Sequence, residues 1–186
     1  MDVLKRRCIV VGAGAALVAG CLSDPPQLDD PAVQGDYDDG DEEHRPGQPC
    51  LLCHGPDHFP GPPGQVRFAV AGTVYPGIAD DENDGLEGVT VSITDAEDRD
   101  FAAISNAVGN FMVQVDTGSN VQRDREPGWV TIPFEPAFPL RVTIRAGTDE
   151  QEMRTKIHRN GSCAHCHGAA PGADSVGRVY LFEEVP

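Results

Sequence analysis

Two pentapeptides of the same pattern, Cys50-Leu51-Leu52-Cys53-His54 and Cys163-Ala164-His165-Cys166-His167, constrain this chain more than any other feature. Both read C-x-x-C-H. With six Cys and six His in 186 residues, one such match is expected by chance about 0.006 times, and two at about a part in 10⁵. The spacing has a chemical reason. Two thiols three positions apart can add to the two vinyl groups along one haem edge, and the next residue sets an imidazole under the iron. A zinc site could use Cys50, Cys53, Cys163 and Cys166, and an exported protein could close two disulfides. Neither explains why a His follows each pair at once. The expectation is two covalently bound haem c groups, on Cys50 and Cys53 with His54, and on Cys163 and Cys166 with His167.

The remaining two cysteines belong to the N-terminus. Lys5, Arg6 and Arg7 form a basic start, Ile9 to Ala19 an apolar run, and Leu17-Val18-Ala19-Gly20-Cys21 follows. Eleven apolar or small residues are too few to span a bilayer, so residues 1–20 read as an export signal. Its end resembles the lipobox of bacterial lipoproteins, which implies lipidation of Cys21 after cleavage and, with Leu22 next, sorting to the outer membrane. Cys8 leaves with the signal.

The chain carries 14 Lys and Arg against 30 Asp and Glu, and loss of residues 1–20 makes the remainder more acidic still. A phosphate-backbone binder would work against its own field, which argues against nucleic acid as a partner. Nine of the acidic residues lie between Leu22 and Gln48, with several Pro and little that is apolar. Such a stretch cannot bury enough surface to offset its ordering entropy, so residues 21–48 are expected to be a disordered tether. Six basic residues (Arg141, Arg145, Arg154, Lys156, Arg159, Arg178) gather near the second motif in sequence. They read as a docking face, as compensation for haem propionates, or as ordinary edge-strand charges.

Between the motifs the pattern is period two, broken by turn residues. Expected strands are Val66 to Tyr75, Val89 to Asp95, Phe101 to Ser105, Asn110 to Asp116, Trp129 to Phe134, Leu140 to Ala146 and Gln151 to Ile157. Val89, Val91 and Ile93 alternate with Thr90, Ser92 and Thr94, as in a half-buried strand. The fold class expected is mainly β: an antiparallel immunoglobulin- or transthyretin-like sandwich of about seven strands, flanked by two haem-binding segments. The segments divide as 49–65 (first haem segment), 66–157 (sandwich) and 158–186 (second haem segment). In the last of these, Val176 to Phe182 is a final strand that can add to a sheet edge. Asp80 to Gly85 half-matches a calcium loop but lacks the closing Glu, since position twelve is Val91, and reads as an acidic hairpin connection. Trp129 and Phe134 read as core.

The two C-x-x-C-H motifs around this pattern resemble those of small lipid-anchored dihaem cytochromes c. In that class two haem segments flank a carboxypeptidase-regulatory-like β-sandwich. Ala71-Gly72-Thr73-Val74-Tyr75, Gly85-Leu86-Glu87-Gly88-Val89-Thr90-Val91 and Asn106-Ala107-Val108-Gly109-Asn110-Phe111 are similar to that module, also called collagen-adhesin-B-like. The module is usually a scaffold, which implies no catalysis of its own.

Distal ligands must come from His44, His58, His158, His165, Met112 and Met153. His165 is pinned inside its own attachment loop and reads as a donor to a propionate rather than an iron ligand. His44, in the acidic stretch, reads as a solvated side chain. His58 is held near its own proximal side and would serve the other haem. The expected arrangement is cross-ligation, His158 to the first iron and His58 to the second, with Met153 the main rival. That arrangement requires the two haems to lie close together at one end of the sandwich.

No nucleophile with its base and orienter is present in the sequence, so hydrolytic chemistry lacks support. The function expected is that of an electron carrier, not an enzyme. It would be an extracytoplasmic dihaem lipoprotein exchanging single electrons with other redox proteins, cytochromes among them, while held to the outer membrane by its lipid. The alternatives are a lipid-anchored sandwich for binding or adhesion with its Cys in disulfides or zinc, and a small peroxidase-like haem enzyme with an open coordination site.

Overall fold

The computed structural model describes residues 41–56, 66–116, 126–169, 171–172 and 175–182. Residues 1–20, read above as an export signal, and Cys21, most of the acidic stretch and His58 lie outside the described residues. One short helix, α1 (Leu51–His54), precedes eight strands: β1 (Phe68–Tyr75), β2 (Thr90–Thr94), β3 (Asp100–Ile104), β4 (Asn110–Val115), β5 (Trp129–Ile132), β6 (Arg141–Ala146), β7 (Asp149–Glu152) and β8 (Val179–Tyr180). Seven of them fall within one residue of an expected window, and β8 adds to a sheet edge as expected; β7 is displaced from the expected Gln151 to Ile157 because the chain turns back at Gly147-Thr148 and pairs Asp149 with Ala146.

The strands form two four-stranded sheets, ordered β5-β4-β1-β8 and β3-β2-β6-β7. Val70, Val74, Phe111, Val113 and Ile132 from the first sheet meet Val91, Ile93, Ala103 and Ile144 from the second in one core, the mark of a sandwich. Each such side chain contributes on the order of 1.5–3 kcal/mol when fully buried.

The sheets are not wholly antiparallel. β8 runs parallel to β1, pairing Val74 with Val179, and β5 runs parallel to β4, pairing Met112 with Trp129. Alternation fixes which face a residue takes but carries no information on strand direction. The acidic loop at Asp80–Gly85 is likewise not a hairpin connection, because β1 and β2 belong to different sheets. Within it the Asp80 carboxylate accepts the Gly77 N–H at 2.6 Å.

All eight residues of β1 are buried. A register shift between Phe68 and Val70 re-aims its start, so that Phe68 and Ala71 leave the main core and join Val66 and Met112 in a second apolar cluster. Cys50, Leu51 and Trp129 pack on that second cluster. β1 is therefore covered on both faces, and its outer cover is the first C-x-x-C-H segment.

Candidate haem-attachment site

Both motifs are built onto β1. The first forms α1, one helical turn in which the His54 N–H donates to the Cys50 carbonyl at 2.9 Å. The second forms a 3₁₀ turn over Cys163–His165, closed by the Cys166 N–H on the Cys163 carbonyl at 3.1 Å. Tight turns of this kind bring residues three apart onto one side. The four cysteines are thiols, with Cys53 exposed and the other three partly buried.

The second motif reaches β1 through a split edge. Ser162 bridges Ala71 in parallel, and the Ala71 N–H donates to the Gly161 carbonyl at 3.0 Å. Val179 then pairs with Val74, also in parallel. The motif is thus an excursion of the chain between two stretches that line the same edge of β1. Cys163 comes to lie over Gly72, where a Cβ would stand 2.6 Å from its Cβ and 2.8 Å from its Sγ. The strand count alone would send the chain ends to opposite poles. The chain instead returns after β7, through the Leu140–Ile157 bridge, to β1 itself.

Burial pushes the Cys163 thiol up to about 12, with Cys50 and Cys166 adding to the rise. Burial likewise pushes Cys50 up to about 11, a backbone hydrogen bond opposing it and Cys53 adding to it. Both motifs therefore sit against β1, the first over its outer face at Phe68 and Ala71 and the second along its edge at Ala71 and Gly72.

His54 and His167 are oriented alike. His54 Nδ1 donates to the Val66 carbonyl at 2.7 Å, and His167 Nδ1 donates to the Gly177 carbonyl at 2.8 Å. A carbonyl can only accept, so each ring is held in the tautomer that leaves Nε2 as a lone-pair donor. Burial lowers the pKa of both rings, and the carbonyl contacts oppose this only in part, which keeps the imidazoles neutral. His54 is further fixed by Phe68, ring centroids 4.6 Å apart at 33°, and Phe68 in turn meets Trp129 edge-on at 5.0 Å. The indole N–H of Trp129, read above as core but only partly buried against the second cluster, donates to Gln114 Oε1 at 3.0 Å.

His165 differs. Its Nδ1 faces the Asn160 amide nitrogen at 3.5 Å, while its Nε2 is buried with no hydrogen-bond partner, as is Ser162 Oγ. Two buried polar atoms at the second motif are thus left without a hydrogen-bond partner, which sets them apart from most buried polar groups.

His44, expected in solvent, instead lies against His54, ring centroids 5.8 Å apart at 54°. Residues 41–48 are tied to the sandwich by main-chain groups. Asn106 Nδ2 donates to the Glu42 carbonyl at 2.6 Å, Asn110 Nδ2 to the His44 carbonyl at 3.1 Å, and the Gly47 N–H to Thr73 Oγ1 at 2.7 Å. An estimate from composition misses this docking because it counts apolar side chains. The buried asparagines of the Asn106–Asn110 turn are the signal that could have found it.

His158 is exposed, on the connection between Ile157 and Gly161. Met112 is buried in the second apolar cluster, and Met153 continues the β6–β7 ladder through its N–H to the Val142 carbonyl at 2.9 Å. The basic residues do not form one face. Arg141 and Arg145 lie on the opposite sheet, paired with Asp98 and Glu150, while Arg178 is buried over the Tyr75 ring at 4.1 Å.

No family model matches the chain, and neither the curated proteins nor the solved structures give a match.

Proposed function

We propose that the protein is a lipid-anchored, extracytoplasmic dihaem c-type cytochrome that passes single electrons between redox partners at the outer membrane. The observation that carries this is the repeated orientation of His54 and His167, each beside its own pair of thiols. A metal-bound His almost always gives its other ring N–H to a carbonyl or carboxylate, which fixes the ring and raises its basicity. Two unrelated carbonyls, of Val66 and Gly177, supply that same contact here. The donor set also fits: two thiols for thioether bonds and one neutral imidazole per motif. Cys50, Cys53 and His54 would hold one haem, and Cys163, Cys166 and His167 the other. A partnerless His165 Nε2 suits a propionate.

Bound haem supplies a one-electron couple at iron. The chain supplies ring orientation, partial burial and the placement of both motifs on one strand, so that charge can pass between two centres without a moving part. The sandwich acts as a rigid frame, and the lipid at Cys21 would hold it at the membrane. Other redox proteins, cytochromes among them, are the partners this chemistry calls for.

The test is a pyridine haemochrome spectrum with the intact mass of the exported protein. Two haems bound through thioethers, lost stepwise in Cys50→Ala/Cys53→Ala and in Cys163→Ala/Cys166→Ala, are expected. A mass without haem would replace this function with that of a lipid-anchored binding or adhesion module. A high-spin ferric spectrum with ready cyanide binding would point to the peroxidase-like alternative.

A further inference from the structure

His44 precedes the first motif and belongs to neither pentapeptide, yet its imidazole lies beside that of His54. Three features of this pair go together. His44 Nδ1 is hydrogen-bonded to the Asp41 carbonyl, so it too is in the tautomer that leaves Nε2 free, matching His54 on the Val66 carbonyl. The two centroids are 5.8 Å apart. Two imidazoles trans on one metal, with bonds of about 2.0–2.1 Å and half-rings of about 1.1 Å, would have centroids roughly 6.3 Å apart. The His44 backbone is also held from the sandwich side by Asn110, and its neighbours Glu42 and Gly47 by Asn106 and Thr73, so the ring is positioned by the fold rather than by chance collision. By contrast, His158 stands exposed on the connection after Ile157.

We infer that His44 is the sixth ligand of the iron carried by Cys50, Cys53 and His54. This rests on the dihaem proposal above and replaces His158 at the first iron. The docked segment 41–48 then has a purpose: Asn106, Asn110 and Thr73 hold a loop whose cargo is one imidazole. A bis-imidazole iron is six-coordinate, which leaves the first centre suited to electron transfer and closed to small ligands.

The experiment uses the full exported protein and two variants, read by electron paramagnetic resonance and optical spectra after haem content is confirmed by mass. In His44→Gly, one of the two ferric centres is expected to turn from low-spin to high-spin, and added imidazole to restore it. In His44→Met, the same centre is expected to rise in potential and to gain a sulfur-to-iron charge-transfer band, which keeps the test open should the glycine variant fail to accumulate. His158→Ala is expected to leave that centre unchanged. Two low-spin centres with wild-type spectra in the His44 variants, both haems being present, would overturn the ligand assignment alone. Absence of haem from the wild-type protein would overturn the dihaem proposal beneath it.

Discussion

Gly72 and Cys163 share a space that admits one side chain. A Cβ on Gly72 would meet Cys163 Cβ at 2.6 Å and Sγ at 2.8 Å, with the Phe111 ring at 3.2 Å behind it. The contact is between a buried central strand, which cannot move, and the partly buried first cysteine of the second motif, which must give way. Gly72→Ala is expected to cost about 1–3 kcal/mol through overpacking. It should also displace Cys163 while leaving Cys50 and Cys53 untouched. Urea unfolding measures the first effect. On the dihaem proposal, mass spectrometry of the peptides that carry the two motifs measures the second, and equal haem loss at both would contradict it.

Phe68 joins the first motif to the sandwich. It is buried, stacked on His54 and set edge-on against Trp129. Phe68→Ala removes both ring contacts and leaves a cavity under α1, at an expected cost of about 3–5 kcal/mol. An unfolding midpoint within error of the wild type would show that α1 is not seated on this ring.

β2 was legible as a window of alternation, because in a half-buried strand the solvent and core faces write themselves into every second residue, whereas β1 and β4, buried throughout, showed as apolar runs between turn residues. Val91 and Ile93 against Ser92 show the alternation most plainly. The direction of β5 and β8 was not legible, since parallel and antiparallel neighbours bury the same faces. The two C-x-x-C-H motifs were legible from spacing alone, and their shared seat on β1 was not. The docking of His44 was hidden, because the groups that hold residues 41–48 are carbonyls and an N–H met by Asn106, Asn110 and Thr73, and main-chain groups leave no mark in composition. The split edge of β1 that receives the second motif was hidden for the same reason.

Thr73 is the hinge of that docking. Its hydroxyl accepts the Gly47 N–H at 2.7 Å and donates to Asn110 Oδ1 at 2.7 Å. Thr73→Val keeps the shape and removes both bonds, leaving a part-buried N–H and a buried amide oxygen unpaired, at about 1–3 kcal/mol. Hydrogen exchange should locate the damage. The Gly47 amide is expected to exchange much faster, while the β2–β3 amides keep their protection. Uniformly faster exchange would mean that the hydroxyl supports the whole sheet instead.

Asp95 sets how the sandwich responds to acid. Its carboxylate is buried at the start of the β2–β3 turn and accepts from Glu97 N at 2.9 Å, Arg99 N at 3.0 Å, Arg99 Nε at 2.8 Å and Ala137 N at 3.1 Å. Burial alone would push its pKa up, but the Arg99 side chain and these N–H groups outweigh burial and hold the carboxyl well below the usual range. A depressed folded pKa makes the unfolded chain bind the proton more readily, so the group stabilises the fold fully above its unfolded pKa near 4. That contribution is lost as the pH falls below 4 towards the folded value. Asp95→Asn should therefore lower the urea midpoint at pH 7, and the gap to the wild type should narrow as the pH is taken down to about 3. The comparison isolates one carboxylate, because every other acid titrates in both proteins. A gap that stays constant from pH 7 to pH 3 would mean that the charge on Asp95 contributes nothing and that its hydrogen-bonding shape alone holds the turn.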